Sequence, residues 1–166
     1  MYLFDNNYNK VYIKDEVGVE IPLFFSSNIE VKTSGRISII DYWDEPTIYA
    51  NALYCLQINK IELENSISSS YYAFKQGDGV TLTIYGIGKQ YGGTYQGYDI
   101  YLKGIASTDL ENMKSSLLID ETIILYFKPT SGNAMNFDIR IDRGLNSRVT
   151  SATLKSADIK LYKVTS

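Results

Sequence analysis

The feature that most constrains this chain is a strict two-residue alternation near its C-terminal end. Phe137, Ile139 and Ile141 alternate with Asn136, Asp138, Arg140 and Asp142, and successive side chains on a strand point to opposite faces. One face of this segment is therefore apolar and the other charged. Ala157, Ile159 and Leu161 repeat the pattern against Asp158, Lys160 and Tyr162, after a turn at 143–147 that contains Gly144. Upstream, residues 122–127 (TIILYF) are apolar on both alternating sets, which predicts a strand buried on two sides. Pro129, which has no amide to donate, and Gly132 end it. Strands with one apolar face must cover that face, so the pattern demands a second sheet.

The same reasoning extends towards the N-terminus. Residues 11–13 and 17–23 read as a hairpin about Lys14, Asp15 and Glu16, and Pro22 places its second arm at an edge or ends it early. Residues 29–33 and 37–42 read as a second hairpin about Ser34, Gly35 and Arg36. Trp43, Asp44, Glu45 and Pro46 interrupt the pattern, and 47–58 resumes it. Tyr54, Leu56 and Ile58 share a face that Ile61 and Leu63 continue only after a slip at Asn59 and Lys60, which predicts a bulge or a bend. A Ser-rich loop at 65–70 follows. Gln76, Gly77, Asp78 and Gly79 form a turn before Val80, Leu82 and Ile84, and 98–102 is the return strand. The helical candidate is 107–118, with Ser107 or Thr108 as cap, Glu111 in the first turn and a stripe of Leu110, Met113 and Leu117. Short strands, turns and at most one short helix near 107–118 predict an all-β antiparallel sandwich, one domain over 1–166.

The runs DETIILYF (120–127), FDIRI (137–141) and SADIKLY (156–162), in that order, resemble the closing half of galactose-binding-like jelly rolls. Such jelly rolls occur in carbohydrate-binding modules and in bacteriophage fibre and virion proteins. The resemblance covers the last third of the chain and implies a jelly-roll-like sandwich. It assigns no ligand residue, because the ligand contacts of that family sit in variable loops.

Charge and residue usage narrow the function. With 16 Lys and Arg against 19 Asp and Glu, the net charge is -3, and the basic residues are scattered. Neutralising phosphates needs clustered cations, so nucleic acid is not the expected partner. Arg140, Arg143 and Arg148 interleave with Asp138 and Asp142 and read as paired surface charge. The sequence has no His, which removes the commonest general base and metal ligand. Cys55 is the one cysteine; its apolar neighbours predict a buried, inert thiol. Neither G-x-S-x-G nor S-x-x-K occurs. Asp44 and Glu45 are adjacent, so on a strand they would face opposite ways and could not flank one glycosidic bond. Distant carboxylates such as Asp138 and Asp158 are the remaining hydrolytic pair. Asp78, Asp99, Asp138 and Asp142 offer oxygen ligands but no calcium-loop spacing, so solvated acids, with no metal and no cofactor, are expected. The glycines at 77–79 and 86–88 lack a following helix to hold phosphate and read as hairpin turns. The N-terminal MYLFDN has no basic stretch ahead of an apolar one, and the apolar runs are too short to span a bilayer. The expectation is a product made in the cytoplasm, without signal peptide or membrane association.

Aromatic residues carry the functional expectation. Fifteen Tyr against six Phe and one Trp favour wet recognition surfaces, because Tyr joins apolar area to a polar tip. Tyr91, Tyr95 and Tyr98 lie in the run YGGTYQGY (91–98), whose glycines would let the rings form a platform for a sugar or a partner's loop. The other reading is a hairpin whose tyrosines cover the end of the sheet. Tyr71 and Tyr72 form a second patch, or a strand with one ring in and one out. Trp43 anchors a saccharide or a subunit boundary, or, on the plainer reading, caps the core. With the resemblance, these residues point to a non-enzymatic structural or adhesion protein. The expected setting is a bacteriophage virion, as a capsid auxiliary, head-fibre or tail protein made in the host cytoplasm. Its partners would be copies of itself or other virion subunits, with cell-surface glycan as a further one. The alternative is a carbohydrate-binding module that uses the Tyr-rich loop.

Overall fold

The computed structural model describes residues 18–87 and 97–165 in full, together with the backbone pairings of 2–4 with 10–12 and of 90–91 with 94–95. Among these residues the chain forms β1 (Tyr2–Phe4), β2 (Lys10–Tyr12), β3 (Gly18–Ile21), β4 (Glu30–Lys32), β5 (Ile37–Ser38) and β6 (Thr47–Ile48). There follow β7 (Tyr54–Ser66), β8 (Gly79–Tyr85), β9 (Gln90–Tyr91), β10 (Thr94–Tyr95), β11 (Tyr98–Lys103) and β12 (Ile105–Asp109). The last are β13 (Lys114–Ile119), β14 (Ile123–Phe127), β15 (Asn133–Ala134), β16 (Asn136–Asp142) and β17 (Ser151–Val164). Two sheets make the body of an all-β antiparallel sandwich. One runs β11-β8-β16-β5; the other runs β12-β13-β7-β17-β3, with β14 also on β7 and β4 also on β17.

The long strands β7 and β17 pair along their length and form the axis of the larger sheet. The slip expected at Asn59 and Lys60 is a bulge: Asp158 faces Lys60 while Ile159 faces Ile58, which leaves Asn59 extra. A second irregularity on β17 skips Lys155 between the Leu154–Leu63 and Ser156–Glu62 pairs. Each bulge switches the face of its own strand, so the two together keep Leu56, Ile58, Ile61 and Leu63 inward opposite Leu161, Ile159, Ala157 and Leu154. Those residues meet Val80, Leu82, Ile84, Phe137, Ile139 and Ile141 of the smaller sheet in one core cluster.

Several connections differ from the sequence expectation. Residues 107–118 are not a helix but most of the β12–β13 hairpin, paired from Ile105–Leu118 to Asp109–Lys114. The Asp109 carboxylate accepts from the Asn112 amide at 3.1 Å, and Met113 takes φ 52°. That closes a turn where a helical stripe was expected. Strand propensity won because Ser115, Leu117 and Ile119 alternate inward beside β7. The run 122–127 is not buried on both faces. As β14 it is a half-buried strand that, among the described residues, pairs with β7 alone, beyond the end of β13. The hairpin expected at 29–42 is instead a crossover, since β4 joins the larger sheet on β17 and β5 the smaller sheet on β16. Likewise β2 pairs with β1, whereas β3 pairs with β17 at a sheet edge, as Pro22 suggested. Residues 13–17, within the hairpin expected there, lie outside the described residues.

At one end of the sandwich Asp78 gathers the connecting loops. Its buried carboxylate accepts from the Lys75 amide at 2.9 Å and the Gly144 amide at 2.7 Å, and its carbonyl accepts from the Gly104 amide at 3.0 Å. Gly77, at φ 100°, supplies the left-handed residue that this turn needs.

Candidate functional site

Trp43 sits on a 3-10 turn, Tyr42–Asp44, that follows β5. The turn is held on both sides. Ile39 and Ile40 before it are buried, and Ile48 after it is buried too. The Ser26 hydroxyl donates to Asp41 at 2.8 Å, the Asp44 amide donates to the Asp41 carbonyl at 2.9 Å, and the Asn136 amide donates to Glu45 at 2.8 Å. From this fixed base Trp43 projects 90 % exposed and Tyr42 74 % exposed, with their rings in an edge-to-face contact. Trp43 therefore does not cap the core. A rigid aromatic pair standing in solvent is the form that interface anchors take.

Tyr98 opens β11, the opposite edge strand of the smaller sheet, and pairs with Ile84. Its ring is 40 % exposed and lines an apolar cavity of about 240 Å³ with Leu56, Ile84, Ile87, Leu125, Tyr126 and Phe127. The cavity opens between the sheets where β8 and β14 end. The backbone of 90–91 pairs with 94–95, but the side chains of Tyr91 and Tyr95 lie outside the described residues. Of the four residues singled out, Tyr98 and Trp43 thus belong to opposite edges of one sheet and do not form one site.

The outer face of the smaller sheet carries Asp99, Asp138 and Asp142, each with protein partners, whereas Asp78 is buried in its turn at one end of the sandwich. Arg36 reaches across β16 and β8 to Asp99 at 2.8 Å, where Thr83 also donates at 2.8 Å. Asp142 takes the Arg140 guanidinium at 3.1 Å and the Thr81 hydroxyl. Burial pushes the Asp138 carboxyl above its ordinary range, against the hydrogen bond from Tyr85 and the charge of Arg36. Burial, then the neighbouring Asp138, raises Glu45 as well. Asp158 faces outward from β17 in the other sheet, so Asp138 and Asp158 stand on opposite surfaces of the sandwich and cannot flank one bond. Among the described residues no three His, Cys, Asp or Glu gather as a metal-binding group. The Cys55 thiol is buried, and burial raises its pKa against contacts from Tyr126 and Gln57.

Comparison with protein-family models, curated proteins and solved structures gives no match.

The sequence under-read one surface. Tyr71 and Tyr72 are not one ring in and one out on a strand. They lie on a 3-10 turn, Ser70–Tyr72, both about half exposed, with Arg148 over the Tyr71 ring. The buried pair Ala73 and Phe74 follows the turn and leaves the rings before it outside, an arrangement that no local sequence signal marked.

Proposed function

We propose that this protein is a non-enzymatic structural or adhesion protein, built into a bacteriophage virion as a capsid auxiliary, head-fibre or tail component. The observation that carries the reading is the exposed Tyr42–Trp43 pair on a turn whose neighbours are fixed in the core. A rotamer-poor aromatic held in place before contact loses little entropy on binding, so a partner gains most of the contact energy. We assign this knob to contacts with other copies of the chain or with neighbouring virion subunits. The closed ion-pair and hydroxyl network on the smaller sheet's outer face gives that side a stiff, polar surface suited to a wet interface.

A second reading is a carbohydrate-binding module. Tyr98, half exposed beside an apolar cavity at the base of the Tyr-rich hairpin, favours it. Incorporation separates the two. Tagged wild type is expected in purified particles, and Trp43→Ser in the soluble fraction. Wild type that is absent from particles but retained on one polysaccharide, with retention lost in Tyr98→Ser, supports the module instead.

A further inference from the structure

The end of the sandwich away from Trp43 carries a groove with a different chemistry. Two loops form it, and both are fixed. In the first, the Tyr72 amide donates to the Ser69 carbonyl at 3.1 Å, and Lys75 Nζ donates to the Ser70 carbonyl at 2.7 Å. Asn65 Nδ2 donates to the Tyr72 carbonyl at 3.2 Å, while Asn65 Oδ1 accepts from Ser115, which in turn accepts from the Phe74 amide at 3.0 Å. In the second loop, Arg148 lies between the buried residues Ser147 and Val149, and the Thr150 carbonyl accepts from the Thr33 amide at 3.1 Å. The rings and the guanidinium are therefore presented from rigid backbone.

The groove between these loops has a volume of about 290 Å³ and is lined by Tyr72, Arg148 and the hydroxyl residues Ser66, Ser68, Thr150 and Ser151, together with Asn65 and Val149. No carboxylate lines it; Glu30 enters only in the adjoining groove along Ser66 and Ser151. The Arg148 guanidinium carbon stands 5.3 Å from the Tyr71 ring centroid, and among the described residues Arg148 makes no ion pair. On a chain of net charge -3 this is a cation without the acidic partner that Arg36 and Arg140 have.

We propose that this groove binds a carboxylate-bearing saccharide, with Arg148 holding the carboxylate, Tyr72 offering its ring to the apolar face of the pyranose, and the Ser and Thr hydroxyls taking the sugar hydroxyls. A guanidinium offers a planar fork of donors matched to a carboxylate, and stacking on Tyr71 fixes its orientation without consuming the donors on its rim. The volume is close to the lower bound of about 300 Å³ for small-ligand sites, which suits one sugar residue of a chain passing over the surface. The inference needs only this groove and holds whether or not Trp43 seats a partner.

Retention of the full chain on immobilised polygalacturonate and alginate, against neutral galactan and dextran, tests the proposal. Wild type is expected to bind the acidic polymers at least about tenfold more tightly than the neutral ones, the size of effect a lost charged hydrogen bond gives. Arg148→Gln and Tyr72→Ala should each lose that preference, and Arg148→Lys should keep only part of it. Arg148 and Tyr72 are exposed, so the urea midpoint should not move, and Trp43→Ser should bind as wild type does. Equal retention of wild type on acidic and neutral polymers would overturn the proposal. So would acidic retention unchanged by Arg148→Gln. Equal binding to a sulfated dextran would overturn the assignment of a carboxylate.

Discussion

Trp43 meets Tyr42 edge-on, with ring centroids 5.3 Å apart and planes at 82°, and the pair stands outside a core that begins two residues earlier at Ile40. Replacing Trp43 with Ser should therefore leave folding intact, within about 0.5 kcal/mol, as exposed substitutions do. A core-capping Trp would instead cost about 3–5 kcal/mol on truncation. The urea midpoint of the variant decides between these values.

Leu110 and Leu117 separate the β12–β13 hairpin from the helix that the sequence suggested. On a helix the two would share one stripe and respond alike. In the hairpin Leu117 is buried and Leu110 is exposed at the turn. Leu117→Ala should cost about 2–5 kcal/mol and Leu110→Ala almost nothing. Met113→Gly should be neutral or stabilising, because Met113 holds φ 52° where glycine carries no penalty. Circular dichroism showing equal losses of helical signal in both Leu variants would contradict the hairpin.

Much of the sandwich was legible because it rests on period-two patterning. β16 alternates as Phe137, Ile139 and Ile141 require, and the bulge at Asn59 follows from the slip between Ile58 and Ile61. What stayed hidden was pairing. Whether the segments either side of Gly35 pair with each other or enter different sheets depends on β16 and β17, more than a hundred residues away. Residues 107–118 misled because Leu110, Met113 and Leu117 fit a helical stripe, while Leu117 and Ile119 fit a strand equally well. At the candidate sites the aromatic residues were visible, but their exposure was not. Nothing local tells that Trp43 points out while Phe74 points in.

Ile139 and Asp138 test the register of β16. Ile139 is buried between Leu82 and Ile37, and Asp138 faces outward beside Thr83 and Ser38. Ile139→Asp should abolish folding, since an unpaired buried charge costs several kcal/mol, on the order of a domain's whole stability. Asp138→Ala should leave a folded protein. Similar urea melts for the two would contradict the assigned faces.

Asp138 also predicts a pH dependence. Its folded pKa is raised, chiefly by burial, so the folded state holds the proton more tightly than the unfolded chain. The stability this contributes is present at pH below the ordinary Asp value, about 3.9, and is lost as pH rises through the raised folded value. Glu45 acts in the same direction. Asp138→Asn should thus gain stability relative to wild type as pH is raised from about 4 to about 7. A gap between the two that widens the other way would show that Arg36 and Tyr85, not burial, govern this carboxyl.

The central claim is that the aromatic knob joins subunits, and the mass of the purified protein tests it most directly. Sedimentation equilibrium of the wild type is predicted to give a defined multiple of the 18.8 kDa chain. Trp43→Ser, folded to the same urea midpoint, should fall to the single-chain mass, because a buried interface anchor is worth at least about 2 kcal/mol. A wild type that sediments as one chain at every concentration, indistinguishable from Trp43→Ser, would contradict the account.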